Sequence, residues 1–385
     1  MNTSRTLAAL AAAAIATLTL TLSASAQAQS GPVPSSVTLY GSVDQYLNFM
    51  KSSSGRSLTT VNDGAMLRSR VGLRGSEDIG GGLATTFTLE HGLYADSGKQ
   101  NDSTRFFDRQ AWVGMASPWG EVRIGRQNTA AFYRSEYIDY SGRTLGSLSN
   151  HYGLPARYDN DLSYISPRFG GLQLEAHYAI GEQARGGPSS KAVWQFAADY
   201  LDGPWRVGYA GVHARPPADS PVGKTIVFDN LYLNYDHGNG RIYLSVIRSN
   251  NSTSSSVGLF GNNAGNILGA TGALVAGTDV NARRYHNVVQ LSADYRLSTT
   301  WRVGGMIGRI ADTSGREQGA DGASVGAFYS LSKRTTLYTF LQTLQNDKNA
   351  GFVMAGSAAV LPNFAAEDVN GKSIRALQMG IVHRF

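Results

Sequence analysis

The sequence predicts an all-β chain of sixteen antiparallel strands closed into a transmembrane barrel. Three observations predict it. Tight turns alternate along the chain with long polar segments; many intervening stretches carry apolar residues on one parity and polar residues on the other; and the chain opens with an export signal yet holds no cysteine.

The N-terminus has one cation, Arg5, then a mostly apolar run from Leu7 to Leu22, then small residues at Ala26 and Ala28. That pattern is a cleaved secretory signal over 1–28, with a mature chain from Gln29 forming a single barrel domain, 29–385. Losing Arg5 takes the net charge from +6 to +5, too mild and too scattered to imply a nucleic-acid partner. After the signal no stretch reaches the ~20 apolar residues of a membrane helix. An exported chain with 0 cysteines has no disulfides, so burial and backbone pairing must hold it. With 45 glycines, 19 tyrosines and a mean hydropathy of −0.21, the composition suits a sheet that is wet on one side.

Seven tight turns read as "SEDIGGG" (76–82), "SPWG" (117–120), "SPRFGG" (166–171), "DGP" (202–204), "DHGNG" (236–240), "LSTT" (297–300) and "LSKR" (331–334). Eight long loops lie at 51–64, 96–103, 127–156, 182–190, 214–223, 249–281, 311–322 and 347–373. Strict alternation of the two requires sixteen strands with both termini on the short-turn rim. Trp194, Phe196, Ala198 and Tyr200 oppose Gln195, Ala197 and Asp199, and Val289, Leu291, Ala293 and Tyr295 oppose Gln290, Ser292 and Asp294. An apolar outside and a polar inside is the pattern of an outer-membrane barrel, and closure removes every unpaired edge. Trp119, Phe169, Trp205, Trp301 and Phe385 fall where strands meet turns, as an interfacial aromatic girdle would.

Several stretches carry a family resemblance. "SVTLYGSVD" (36–44), "RVGLRGSEDIGGGL" (70–83), "RQAWVGMASPWGEVRIGRQ" (109–127), "DLSYISPRFGGLQLEAHYA" (161–179) and the terminal "HRF" resemble the general porins of β-proteobacteria. The resemblance implies homotrimers of barrels, each with its own water-filled pore passing small hydrophilic solutes and inorganic ions. It also implies a third loop, about 128–156, folded inward as a constriction, and Phe385 as part of the signal read by the outer-membrane assembly machinery. No cofactor or metal is implied.

The stretch "LRSRVGLRG" (67–75) puts Arg68, Arg70 and Arg74 on one parity and Leu67, Val71 and Leu73 on the other. Several guanidiniums facing lipid would cost about 2–4 kcal/mol each near mid-bilayer, so the arginines are expected to line the lumen and the apolar parity to meet lipid. Arg123, between Val122 and Ile124, points inward by the same argument. Arg109 is a companion, although its stretch has aromatics on both parities. Glu136 and Asp139 in the third loop are expected to face these arginines across the pore and set up a transverse field that gives a modest anion preference. The alternative is that the arginines only neutralise wall carboxylates such as Glu90.

A phosphate- or organic-acid-specific channel fits the same arginines. An enzyme built on the barrel is disfavoured because the seven histidines are scattered and no nucleophile elbow or HExxH occurs; the pair Glu90–His91 is the only staged base. A surface adhesin would use the Ser/Asn/Gly-rich loop at 249–281.

Overall fold

In a computed structural model, residues 35–180, 192–214, 225–250, 285–354, 356 and 364–385 are described. The signal segment and most of the loops expected at 182–190, 214–223 and 249–281 lie outside them.

The chain forms sixteen barrel strands. They are β1 (Ser36–Ser52), β2 in two pieces (Ser57–Asp63 and Arg70–Gly80), β3 (Leu83–Tyr94), β4 (Gln110–Ser117), β5 (Gly120–Asn128), β6 (Arg157–Ile165), β7 (Leu172–Ala179) and β8 (Val193–Asp202). There follow β9 (Trp205–Ala214), β10 (Ile226–Asp236), β11 (Arg241–Ser249), β12 (His286–Arg296), β13 (Trp301–Asp312), β14 (Ala320–Ser330), β15 (Thr335–Asn346) and β16 (Ser373–Arg384). Each pairs antiparallel with its chain neighbours, and β16 returns to β1 in the register Ser42↔Arg384 to Ser52↔Ile374, closing the barrel. A two-residue piece, Lys99–Gln100, pairs back onto the end of β3.

Parity decides what each strand residue meets. On β1, Val43, Leu47 and Phe49 are exposed on the outside while Asp44, Tyr46, Asn48 and Met50 are buried inside. On β8 the buried residues are Val193, Gln195, Ala197 and Asp199, and on β12 they are His286, Val288, Gln290, Ser292 and Asp294. The seven tight turns stand at one rim, with Trp119, Phe169, Trp205, Trp301 and Phe385 all exposed beside it. Trp205 packs on Tyr235 and Trp301 on Tyr329 across neighbouring strands, at ring-centroid distances of 4.5 and 4.8 Å.

The opposite rim departs from expectation at its first loop. The stretch 51–64 is a tight hairpin: β1 runs to Ser52 and β2 resumes at Ser57. The irregular part comes later, at 64–69, where Gly64 takes a left-handed φ of +74° and the chain leaves the sheet before rejoining it at Arg70. Residues of β1 supply the missing partners. Ser42 Oγ donates to the Arg68 carbonyl at 3.0 Å, Asp44 N donates to Ser69 Oγ at 3.0 Å, and the Asp44 carboxylate accepts the amides of Met66 and Leu67 at 2.6 and 2.7 Å. The Tyr338 hydroxyl donates to the same carboxylate. Strand parity therefore does not reach back to Leu67. It was expected to face lipid; instead it is half-buried and lines the lumen. Val71 and Leu73, which lie within the strand, are exposed on the outside.

Closure depends on Gly41, which exchanges backbone hydrogen bonds with Phe385 at 3.0 and 3.1 Å. A Cβ there would fall 2.5 Å from the Arg70 carbonyl oxygen and run into the Phe385 ring. Gly41→Val is expected to destabilise the barrel by about 1–3 kcal/mol, read as a lower urea midpoint for loss of the folded, heat-modifiable band on gels.

Candidate pore lining and third loop

The third long loop lies inside the barrel. Thr129 caps a short helix, α1 (Ala130–Arg134), by accepting the Phe132 amide, and Ser147 caps α2 (Leu148–Tyr152) in the same way through Asn150. The loop is sewn to the wall from β7 round to β15. Ala130 N donates to Gln195 Oε1 at 2.9 Å, Tyr140 N to Ser292 Oγ at 3.1 Å and Ser149 N to Gln290 Oε1 at 3.0 Å, while His151 bonds Gln342 at 3.0 Å. Arg134 pairs with Glu175 at 2.5 Å; Glu175 also holds one nitrogen of His177 at 2.6 Å, and Asp161 holds the other at 2.7 Å. With a carboxylate on each ring nitrogen, both nitrogens of His177 are satisfied only as donors.

Glycines on the inner wall make room for this packing. A Cβ at Gly308 or Gly322 would lie 2.9 or 2.6 Å from the Leu148 side chain. Gly322→Val is expected to lift α2 off the wall, giving faster amide exchange over 138–152 and a noisier open-channel current while the β-sheet signal persists.

Among the described residues, two cavities beside the loop have volumes of about 660 and 570 Å³. Arg70, Arg74, Arg109, Arg123 and Arg143 line the larger one with Glu90, Glu121 and Glu136. Arg70 and Arg109 both sit on Glu90, at 3.2 and 2.6 Å, and Tyr40 donates to it at 2.9 Å. Arg123 pairs with Glu121 at 2.5 Å and lies 4.3 Å over the Trp112 ring; Arg74 lies 5.2 Å over Tyr40. Arg68 is buried in the β2 irregularity against Tyr94, outside the strand in which it was placed. The smaller cavity is lined by Arg70, Arg241, Arg296, Arg302 and Arg384 with Glu136, Asp139 and Asp294. Lys333 stands exposed at a tight turn.

The two loop acids part company. Glu136 is exposed and lines both cavities. Asp139, expected to face the arginines across the pore, is 1 % exposed. One oxygen takes the Ser141 amide and hydroxyl at 2.8 and 2.6 Å and the other takes the Gln290 amide at 3.2 Å, so it fastens the loop to itself and to the wall.

Several residues of the site were not singled out by sequence reasoning. Arg143 takes a left-handed φ of +56°, costly for a residue with a Cβ, and lies 3.9 Å over Phe132, with Arg157 at 4.9 Å from the same ring. Burial, with Arg109 adding repulsion, pushes the Arg143 pKa down to about 10, which leaves it cationic at neutral pH. Met66 and Leu67 line both cavities; the only warning in the sequence is the Asp63-Gly64 pair that interrupts the strand. The candidate base His91 stacks on Phe106 at 4.8 Å and makes no bond to Glu90. Among the described residues no three His, Asp or Glu side chains converge to hold a metal ion.

A family model described as Gram-negative porin matches residues 8–349. The chain belongs to that family. Among its relatives are an outer membrane porin protein of Bordetella pertussis and outer membrane porin protein 32 of Delftia acidovorans, each 28 % identical over 91 % of this chain and 94 % of the relative. The fold is shared with an anion-selective porin from Comamonas acidovorans at a TM-score of 0.72 and 24 % identity, covering 91 % of this chain and all of that one. The protein is thus an integral outer-membrane β-barrel of the porin type. In outer-membrane barrels the short turns face the periplasm and the long loops face the exterior.

Proposed function

We propose that this porin is an anion-preferring diffusion channel for small hydrophilic solutes and ions, with the third loop as its constriction. The observation that carries this reading is the charge around the lumen. Each cavity is lined by five arginines against three acids, so between low-dielectric walls the local potential is positive on both sides of the loop. Arg70, Arg74, Arg109 and Arg123 on the wall and Arg143 on the loop set that sign in the larger cavity, against Glu90, Glu121 and Glu136. The anion selectivity of the Comamonas acidovorans porin, which shares the fold, agrees with this sign. Assembly as a homotrimer, with the strand ending in Phe385 read by the assembly machinery, accords with the family.

A substrate-specific anion channel is the second reading. It draws on buried guanidinium nitrogens that lack a partner among the described residues: Nε of Arg143, and Nε and Nη2 of Arg157.

The test is zero-current potential across planar bilayers under a potassium chloride gradient. Wild type is expected to favour chloride; Arg70→Ala should lower the preference by about two- to fivefold and Glu136→Gln should raise it. Cation preference in wild type would contradict the reading, and a conductance that saturates with phosphate would favour the second.

A further inference from the structure

Met66, Leu67, Arg70, Glu136 and Gly142 line both cavities and form the boundary, or neck, between them. Two of the five are hydrocarbon, at the point where a channel for inorganic ions has least use for it. Neither is there by default of the strand pattern. The left-handed turn at Gly64 swings 64–69 inward, and the Asp44 carboxylate holds the amides of Met66 and Leu67 at 2.6 and 2.7 Å. From the other side the third loop holds the same segment, Leu145 N donating to the Ala65 carbonyl at 3.1 Å. The apolar pair is therefore clamped between wall and loop, and both side chains stay half-buried.

Cations stand beside this lip. Arg70 is in the neck itself, and Arg143 lies over Phe132, a third apolar side chain of the larger cavity. We propose that the neck favours, among anions, organic monoanions with an apolar body: carboxylates bearing a short hydrocarbon chain or ring. The carboxylate passes between Arg70 and Arg143 while the hydrocarbon slides along Met66, Leu67 and Phe132. A polyhydroxylated anion of the same carbon number must press hydrated hydroxyls against Met66 and Leu67, which offer them no hydrogen-bond partner in return. The inference rests on the anion reading and makes Met66 and Leu67 its specificity-determining residues.

The test compares hexanoate with gluconate, two six-carbon monocarboxylates, one hydrocarbon and one polyhydroxylated. Their permeabilities relative to chloride are read from bi-ionic reversal potentials of the full-length folded protein in planar bilayers. An alkaline buffer keeps both acids ionised, and each value is divided by the anion's free-solution mobility. Wild type is expected to favour hexanoate by about threefold or more, and Met66→Gln and Leu67→Asn, made separately, to bring the ratio towards one. Equal permeabilities in wild type overturn the inference, whether or not the variants fold. A hexanoate preference that survives in both variants overturns its assignment to Met66 and Leu67. Chloride over potassium selectivity, measured on the same channels, keeps the two levels apart: cation preference removes the anion reading beneath, whereas anion preference without discrimination removes only this inference.

Discussion

Every strand of this barrel separates lipid from water by a single layer of backbone, so each side chain is assigned to one solvent by parity alone. Within a regular stretch of strand a polar residue reaches the other face only if the register shifts. The arrangement of the pore follows from that constraint. Arginines at Arg70, Arg74 and Arg123 fall inside because Val71, Leu73, Val122 and Ile124 are exposed outside. Antiparallel pairing of every strand, including β16 with β1, leaves no ladder edge to satisfy in lipid.

Two departures from the regular sheet pack into the lumen. The third loop enters from one side and docks on an inner wall where glycines leave room for Leu148 and Tyr140. The irregularity at 64–69 enters from the other side, and the two meet through Leu145 and Ala65. Each departure is held by buried polar groups with several partners, Asp44 for the irregularity and Asp139 for the loop. These two carboxylates are used in holding the chain, while Glu136 is exposed and lines both cavities.

Much of this is legible in the sequence because period-two alternation and tight turns are local. The seven short turns, the sixteen strands and the outward aromatics follow from pattern alone. What parity cannot tell is where it stops. Counting back from Val71 assigns Leu67 to lipid, but Gly64 breaks the strand and turns Leu67 into the lumen. The first long loop is misplaced for the same reason, since the polar residues at 53–63 are a hairpin turn and the strand after it. Asp139 and Glu136 look alike in sequence; only long-range packing against Gln290 on β12 gives one a structural part and the other the pore. The stacking of Arg143 and Arg157 on Phe132 joins residues whose proximity depends on how the loop folds back, which no local pattern records.

The positive lumen is tested most directly from inside it. The chain contains 0 cysteines, so Thr88→Cys, on the wall of the larger cavity opposite Arg74, would introduce a unique thiol without replacing a charged residue. The measurement is the rate at which sulfonate- and trimethylammonium-bearing thiosulfonates modify that thiol in open channels, read as a stepwise fall in current. An arginine-dominated lumen predicts that the anionic reagent reacts faster by about tenfold or more at low salt, and that the difference shrinks as salt is raised. Equal rates, or faster modification by the cationic reagent, would contradict the account.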